Sequence, residues 1–88
     1  MEFAVINDNQ VKQLKKLNIN RAFITYEQMD KVKEILDLNG KSVKELRAIR
    51  NGVVKTMSEL EYSEERMATI SGTTATIDDM IWRQGGEV

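Results

Sequence analysis

No cysteine and no histidine occur anywhere in this chain. The first absence excludes disulfides, thiolate metal sites and a cysteine nucleophile. The second removes the commonest zinc ligand and the commonest general base. Proline is also absent, and the five glycines are scattered, so no stretch reads as a linker or low-complexity tract. Aromatic residues make up only 6% of the chain against 41% apolar residues in all, which predicts a mostly aliphatic core. No apolar run approaches the roughly 20 residues of a membrane span. The run Phe3-Ala4-Val5-Ile6 is too short for a signal peptide and lacks a basic flank. With no thiols to oxidise, a cytoplasmic location is expected.

What is present fits one small domain over 1–88. Domains of this size gain stability from disulfides, metals or self-association. With the first two routes closed, the sequence predicts a homo-oligomer, with a dimer favoured. Charge is unevenly spread. Residues 9–55 carry 11 Lys/Arg against 5 Asp/Glu, while 56–88 carry 2 against 7. A basic half followed by an acidic half is either a pair of faces for outside partners or two halves that attract each other.

The patterning predicts an all-α fold, a small helical bundle or helical hairpin with helices over about 9–17, 26–38, 43–61 and 64–83. Residues 1–7 read as a short strand or ordered arm. Asp8 is the expected cap of the first helix, with Val11, Leu14 and Leu17 on its apolar face. Thr25-x-x-Gln28 and Ser42-x-x-Glu45 are capping boxes, and Asn39-Gly40 between them is a left-handed stop. So tight a connection predicts that the two helices it joins pack on each other. From Leu46 onward, Leu46, Val53, Leu60, Met67, Thr74 and Ile81 recur every seven residues. Ile49, Thr56, Ser63, Ile70, Ile77 and Gln84 form the companion positions. Eight of these twelve positions are apolar, which predicts a coiled-coil-like seam. Its apolar members Leu46, Ile49, Val53, Leu60, Met67, Ile70, Ile77 and Ile81 are the candidate self-association residues. Met57 is available where Thr56 weakens the seam, and 43–83 reads either as one continuous helix or as two helices with a bend near Tyr62-Ser63. Ser71–Thr76 is rich in strand formers, so a short extended piece is the alternative there.

Little in the chain points to chemistry. Gly40-Lys41-Ser42 echoes the end of a phosphate-binding loop, but Ile35 stands where the leading glycine belongs. Glu64-Glu65 and Asp78-Asp79 are acidic pairs, yet neighbours on a helix point about 100° apart and do not converge on a metal. The bland reading of the second pair is a helix start, with Thr76 as cap and both aspartates in the first turn. No serine has a histidine relay or a strained nucleophile turn. The sequence therefore predicts a non-enzyme with no cofactor or metal. It predicts a helical inhibitor, adaptor or small regulator, of the kind phages and mobile elements carry, that binds a protein partner. The candidate partner-binding residues are Trp82, Arg83, Glu64, Glu65, Asp78 and Asp79, because Trp and Arg dominate interface hot spots. The bland reading of Trp82 is that it caps a small core.

The alternative target is DNA. Lys44, Arg47 and Arg50 recur every three residues, and with Arg21 and Lys41 they form a candidate phosphate-tracking row. The stretch 19–54 resembles ribbon-helix-helix repressors. The resemblance is carried by Arg21–Ile24 as strand, Thr25 as cap, Met29, Val32 and Ile35 as helix core, and the turn Asn39-Gly40-Lys41-Ser42-Val43 leading to Glu45-Leu46. It implies a dimer that pairs two strands in the DNA major groove. The sequence departs from that pattern at the groove-facing set Ile19, Arg21 and Phe23, which is mostly apolar, and at Arg50, where a small residue is usual.

Overall fold

The computed structural model describes residues 2–20, 22–60 and 63–86. It contains four helices: α1 (Asp8–Lys16), α2 (Tyr26–Leu36), α3 (Val43–Ser58) and α4 (Glu64–Arg83). The fold is an all-α bundle, as the periodicity predicts, with every helix end within three residues of its predicted place.

Local chemistry explains the ends. Three helices open with complete capping boxes: Asn7 with Gln10, Thr25 with Gln28, and Ser42 with Glu45. Asn7, not the predicted Asp8, caps α1, and Asp8 sits in the first turn where its charge suits the helix dipole. Asn18 and Asp37 turn left-handed after α1 and α2, with φ of 54° and 53°. Each is followed by a buried aliphatic residue, Ile19 and Leu38, that plugs the bundle. The expected stop at Asn39-Gly40 therefore begins two residues earlier. Gly40 keeps its positive φ of 81°.

Glu45 adds a pH dependence. The backbone N–H of Ser42, and then its hydroxyl, hold the Glu45 carboxyl below the usual carboxylate range. A carboxylate depressed by folding stabilises the fold above its unfolded pKa and loses that contribution as pH falls through its folded pKa. Gln at this position keeps the box, as Gln10 and Gln28 do, but cannot titrate. Glu45→Gln is therefore expected to show a shallower loss of Tm between neutral and acidic pH than the wild type.

The other two boxes reach further. Gln28 accepts the Thr25 N–H on Oε1 (3.1 Å) and donates Nε2–H to the Leu17 carbonyl at the end of α1 (2.9 Å). Gln10 accepts the Asn7 N–H (3.0 Å) and donates to the Ile35 carbonyl near the end of α2 (3.3 Å). Each helix start thus clasps the other helix's end, which fixes α1 and α2 antiparallel. Glutamate completes a capping box but cannot donate to a carbonyl. Gln28→Glu is expected to keep α2 capped yet lower stability by about 1–2 kcal/mol, measured by urea unfolding. An unchanged midpoint would remove the clasp from the account.

The α3–α4 pair is the most extensive in the bundle, and α4 also packs on α1 and α2. It is an antiparallel hairpin. Gln84 donates to the Lys41 carbonyl at one end, and Arg66 donates to the Leu60 carbonyl at the other. The heptad seam closes inside one chain. Leu46, Ile49, Val53, Ile77 and Ile81 are buried, Met57 takes the place of Thr56, and Leu60 and Ile70 pack at the margin. Because α4 touches three helices, it buries a broad arc rich in small residues. The hydroxyls of Thr69 and Thr76 are satisfied by the carbonyls of Glu65 and Gly72, four residues back. At Gly72 a Cβ would press on the Ile19 side chain at 2.6 Å, so glycine there lets α4 approach the segment between α1 and α2.

Three expectations need correction. The helices α2 and α3 do not form the packed pair that their short connection suggests; both lean on α4 instead. Their apolar stripes face the same core, and α4 offers both a longer partner. The Ser71–Thr76 stretch is helical throughout, so Thr76 is no cap and Asp78 and Asp79 lie in the second half of α4. Thr74 and Thr76 tolerate helix because their hydroxyls bond back along it, to the carbonyls of Ile70 and Gly72. Finally, the strand of the ribbon-helix-helix resemblance is absent among the described residues. Asn20 and Phe23 form only an isolated bridge, and Ala22 N–H donates to Asn20 Oδ1 (2.8 Å). Ile19, assigned to the groove face, is buried.

The arm at 2–7 is ordered by α3. Ala4 N–H donates to the Ala48 carbonyl (2.9 Å), Asn51 Nδ2–H donates to the Glu2 carbonyl (3.2 Å), and Ile6 enters the core. Gly52 makes this approach practicable, because a Cβ there would overlap the Ala4 carbonyl.

Candidate partner-binding surface

Trp82 stands in the last turn of α4 and is 70% exposed, although its neighbour Ile81 is buried. The helix end holds it there. Gly85 turns left-handed at φ 80°, its N–H donates to the Trp82 carbonyl (2.9 Å), and Gly86 N–H donates to the Ile81 carbonyl (3.0 Å). These two bonds make a Schellman ending, and the pair Gly85-Gly86 was its unread sequence signal. The reading of Trp82 as a core cap is thus replaced: the core closes at Ile81 without it.

The outer face of α4 extends this feature. Ala75 lies two turns before Trp82 on the same side, and with Ser71 and Gly72 it lines a shallow groove of about 140 Å³ beside Phe23. Phe23 is 62% exposed and Tyr26, at the start of α2, is 86% exposed. A soluble monomer can carry single exposed aromatics without consequence. Here Phe23 borders the small residues Ser71, Gly72 and Ala75, and Trp82 follows two turns on from Ala75 along the same side of α4.

The acidic candidates divide. Asp78 accepts from Arg50 Nε (2.6 Å), tying α4 to α3, and Asp79 accepts from Arg83 (2.8 Å) one turn on. Both flank Trp82, but each is neutralised by an arginine. Glu64 and Glu65 are exposed in the first turn of α4, at the far end from Trp82, where negative charge suits the dipole. The structure therefore brings Trp82, Arg83, Asp78 and Asp79 together and leaves Glu64 and Glu65 apart.

The basic candidates divide too. Arg21 lies outside the described residues. Arg50 turns to Asp78, and Lys41 is half-buried beside Asp37 (3.8 Å). Lys44 and Arg47 remain on the exposed surface of α3, Lys44 within 3.7 Å of the Glu2 carboxylate. A spacing of three carries each cation 60° further around the helix, so the row spirals from solvent towards α4. The Arg50–Asp78 pair is one point at which the basic and acidic halves attract within the chain.

The self-association candidates are held in the chain's own core, with Met67 half-buried on α4. Among the described residues, no cluster of three or more carboxylates is placed to hold a metal ion. No described helix is long and apolar enough to cross a membrane. No protein-family profile, curated protein or solved structure matches the chain.

Proposed function

We propose that this chain is a non-catalytic interaction protein that docks a protein partner on the outer face of α4, with Trp82 as the anchor. One observation carries the reading: the single tryptophan is 70% exposed at a rigidly terminated helix end while the core closes beneath it. Tryptophans contribute most to binding when they leave water for a partner's pocket. Phe23 and the small residues of α4 supply the surrounding contact area. An inhibitor, adaptor or small regulator acts in this way, without chemistry of its own. A dimer is not needed to bury the heptad seam, because α3 and α4 bury it in one chain. The DNA alternative draws less support, since Arg50 and Lys41 lie beside carboxylates.

Affinity capture from host extract, with nuclease added, tests the reading. The expected result is a protein retained by the wild type, insensitive to nuclease, and lost at least tenfold with Trp82→Ala. Retention that nuclease abolishes would favour the DNA alternative. Retention indifferent to Trp82 would overturn the docking face.

A further inference from the structure

The arm turns one edge of its main chain to α3 and leaves the other edge bare. The Glu2 carbonyl accepts from Asn51 Nδ2 (3.2 Å), Ala4 N–H donates to the Ala48 carbonyl (2.9 Å), and the Ala4 carbonyl lies against Gly52. Side-chain burial alternates along the same stretch. Phe3 is 46% and Val5 92% exposed, while Ala4 packs on the core and Ile6 enters it. A period of two is that of extended chain. In extended chain the main-chain groups of successive residues point to opposite edges. Those of Glu2 and Ala4 face α3, so those of Phe3 and Val5 face away from it. Among the described residues, no N–H or C=O of Phe3 or Val5 has a hydrogen-bond partner.

We propose that two copies of the chain pair through this bare edge, as an antiparallel two-stranded ribbon with Ala4 at its twofold axis. In this register Phe3 and the other copy's Val5 exchange both main-chain hydrogen bonds, and Val5 does the same with the other copy's Phe3. Any added strand would satisfy the edge in that way. Two further features select a second copy. The register sets each Phe3 ring directly across from a Val5 side chain, a favourable aromatic and β-branched pair that covers the most exposed apolar residue of the arm. Charge order is also self-complementary. A groove of about 270 Å³ along the arm is lined by Phe3 and Val5 and, one turn apart on α3, by Lys55 and Glu59. Lys55 Nζ stands 5.1 Å from the centre of the Phe3 ring. The twofold reverses the order of the charges, so each lysine meets the other copy's glutamate. Each strand of the ribbon is backed by its own α3, the support that an isolated strand pair lacks. Pairing uses the only edge that α3 leaves open, so the assembly closes at two copies. Self-association then runs through the arm, while the heptad seam stays inside each chain. The pairing uses neither Trp82 nor its neighbours on α4, so either reading can fail without the other.

The interface is small, so the expected dimer is weak, and sedimentation equilibrium on the whole chain must reach about 1 mM to read it. The expected result is a monomer–dimer equilibrium with nothing larger. In an equal mixture of isotope-labelled and unlabelled chains, filtered NMR spectra should show cross-peaks from the Phe3 ring to Val5 methyls of the other copy. Val5→Asp places a charge on the edge and should weaken the dimer at least tenfold. The position is exposed, so this variant is expected to keep the wild-type Tm. Lys55→Glu should weaken it several-fold, and adding Glu59→Lys should restore most of the loss, because the swapped pair is again complementary across the twofold. A monomer at every concentration, species beyond a dimer, absent Phe3–Val5 cross-peaks, a dimer indifferent to Val5→Asp, or no recovery in the double swap would each overturn the proposal.

Discussion

Gly52→Ala is expected to destabilise the protein although alanine is the better helix former. In isolation the change favours a helix by about 1 kcal/mol. Here the new methyl group would overlap the Ala4 carbonyl, which is backbone and cannot rotate away. The arm must lift. Lifting it breaks the Ala4–Ala48 hydrogen bond and uncovers Ile6. Those losses are about 0.5–1.5 kcal/mol for the bond and about 1.5–3 kcal/mol for the side chain. A net loss of about 1–3 kcal/mol in urea unfolding is expected. The mechanism has its own control. In a chain truncated before Ile6, the same substitution meets no carbonyl and should become neutral or stabilising. A loss of equal size in both backgrounds would show that the arm is not its cause.

The largest expected effect separates two residues five apart on α4. Ile77 is fully buried between the helices, so Ile77→Ala removes buried methylenes and leaves a cavity. Such truncations cost about 2–5 kcal/mol, a large part of the total for a domain whose stability is of order 5–15 kcal/mol. Trp82 is the bigger side chain, yet Trp82→Ala should stay within about 0.5 kcal/mol, as exposed positions do. Unfolding midpoints of the two variants measure the contrast. If Trp82→Ala proved as damaging as Ile77→Ala, the indole would belong to the core and not to a partner.

Much of the fold was legible because its signals are local. Capping boxes at Thr25 and Ser42, and apolar spacing from Leu46 to Ile81, depend only on neighbours in sequence. What those signals leave open is which apolar stripe meets which. A heptad that could zip two chains folds back on itself here because α3 ends at Ser58 and α4, from Glu64, lies antiparallel to it; Tyr62, where the bend was expected, lies outside the described residues. The short Asp37–Ser42 connection suggested a packed pair, but a connection fixes proximity of ends, not of faces. Gly52 and Gly72 were read as scattered glycines, and their roles exist only through Ala4 and Ile19, distant in sequence. The candidate site was half legible. Trp82 could be singled out by its residue type, but its exposure follows from the Gly85-Gly86 ending. Phe23 reaches that side of α4 only through the Asn20–Phe23 bridge, a contact no local pattern announces. Arg50 and Asp78 were assigned to opposite kinds of partner and instead hold each other.

Because the chain has one tryptophan, its emission reports the central claim without a label. Acrylamide quenching of Trp82 should be measured in the free protein and again with the captured partner bound. The account predicts red-edged emission and ready quenching in the free chain, then a blue shift and strong shielding in the complex. Emission that is already blue and shielded in the free chain, or unchanged by the partner, would contradict it.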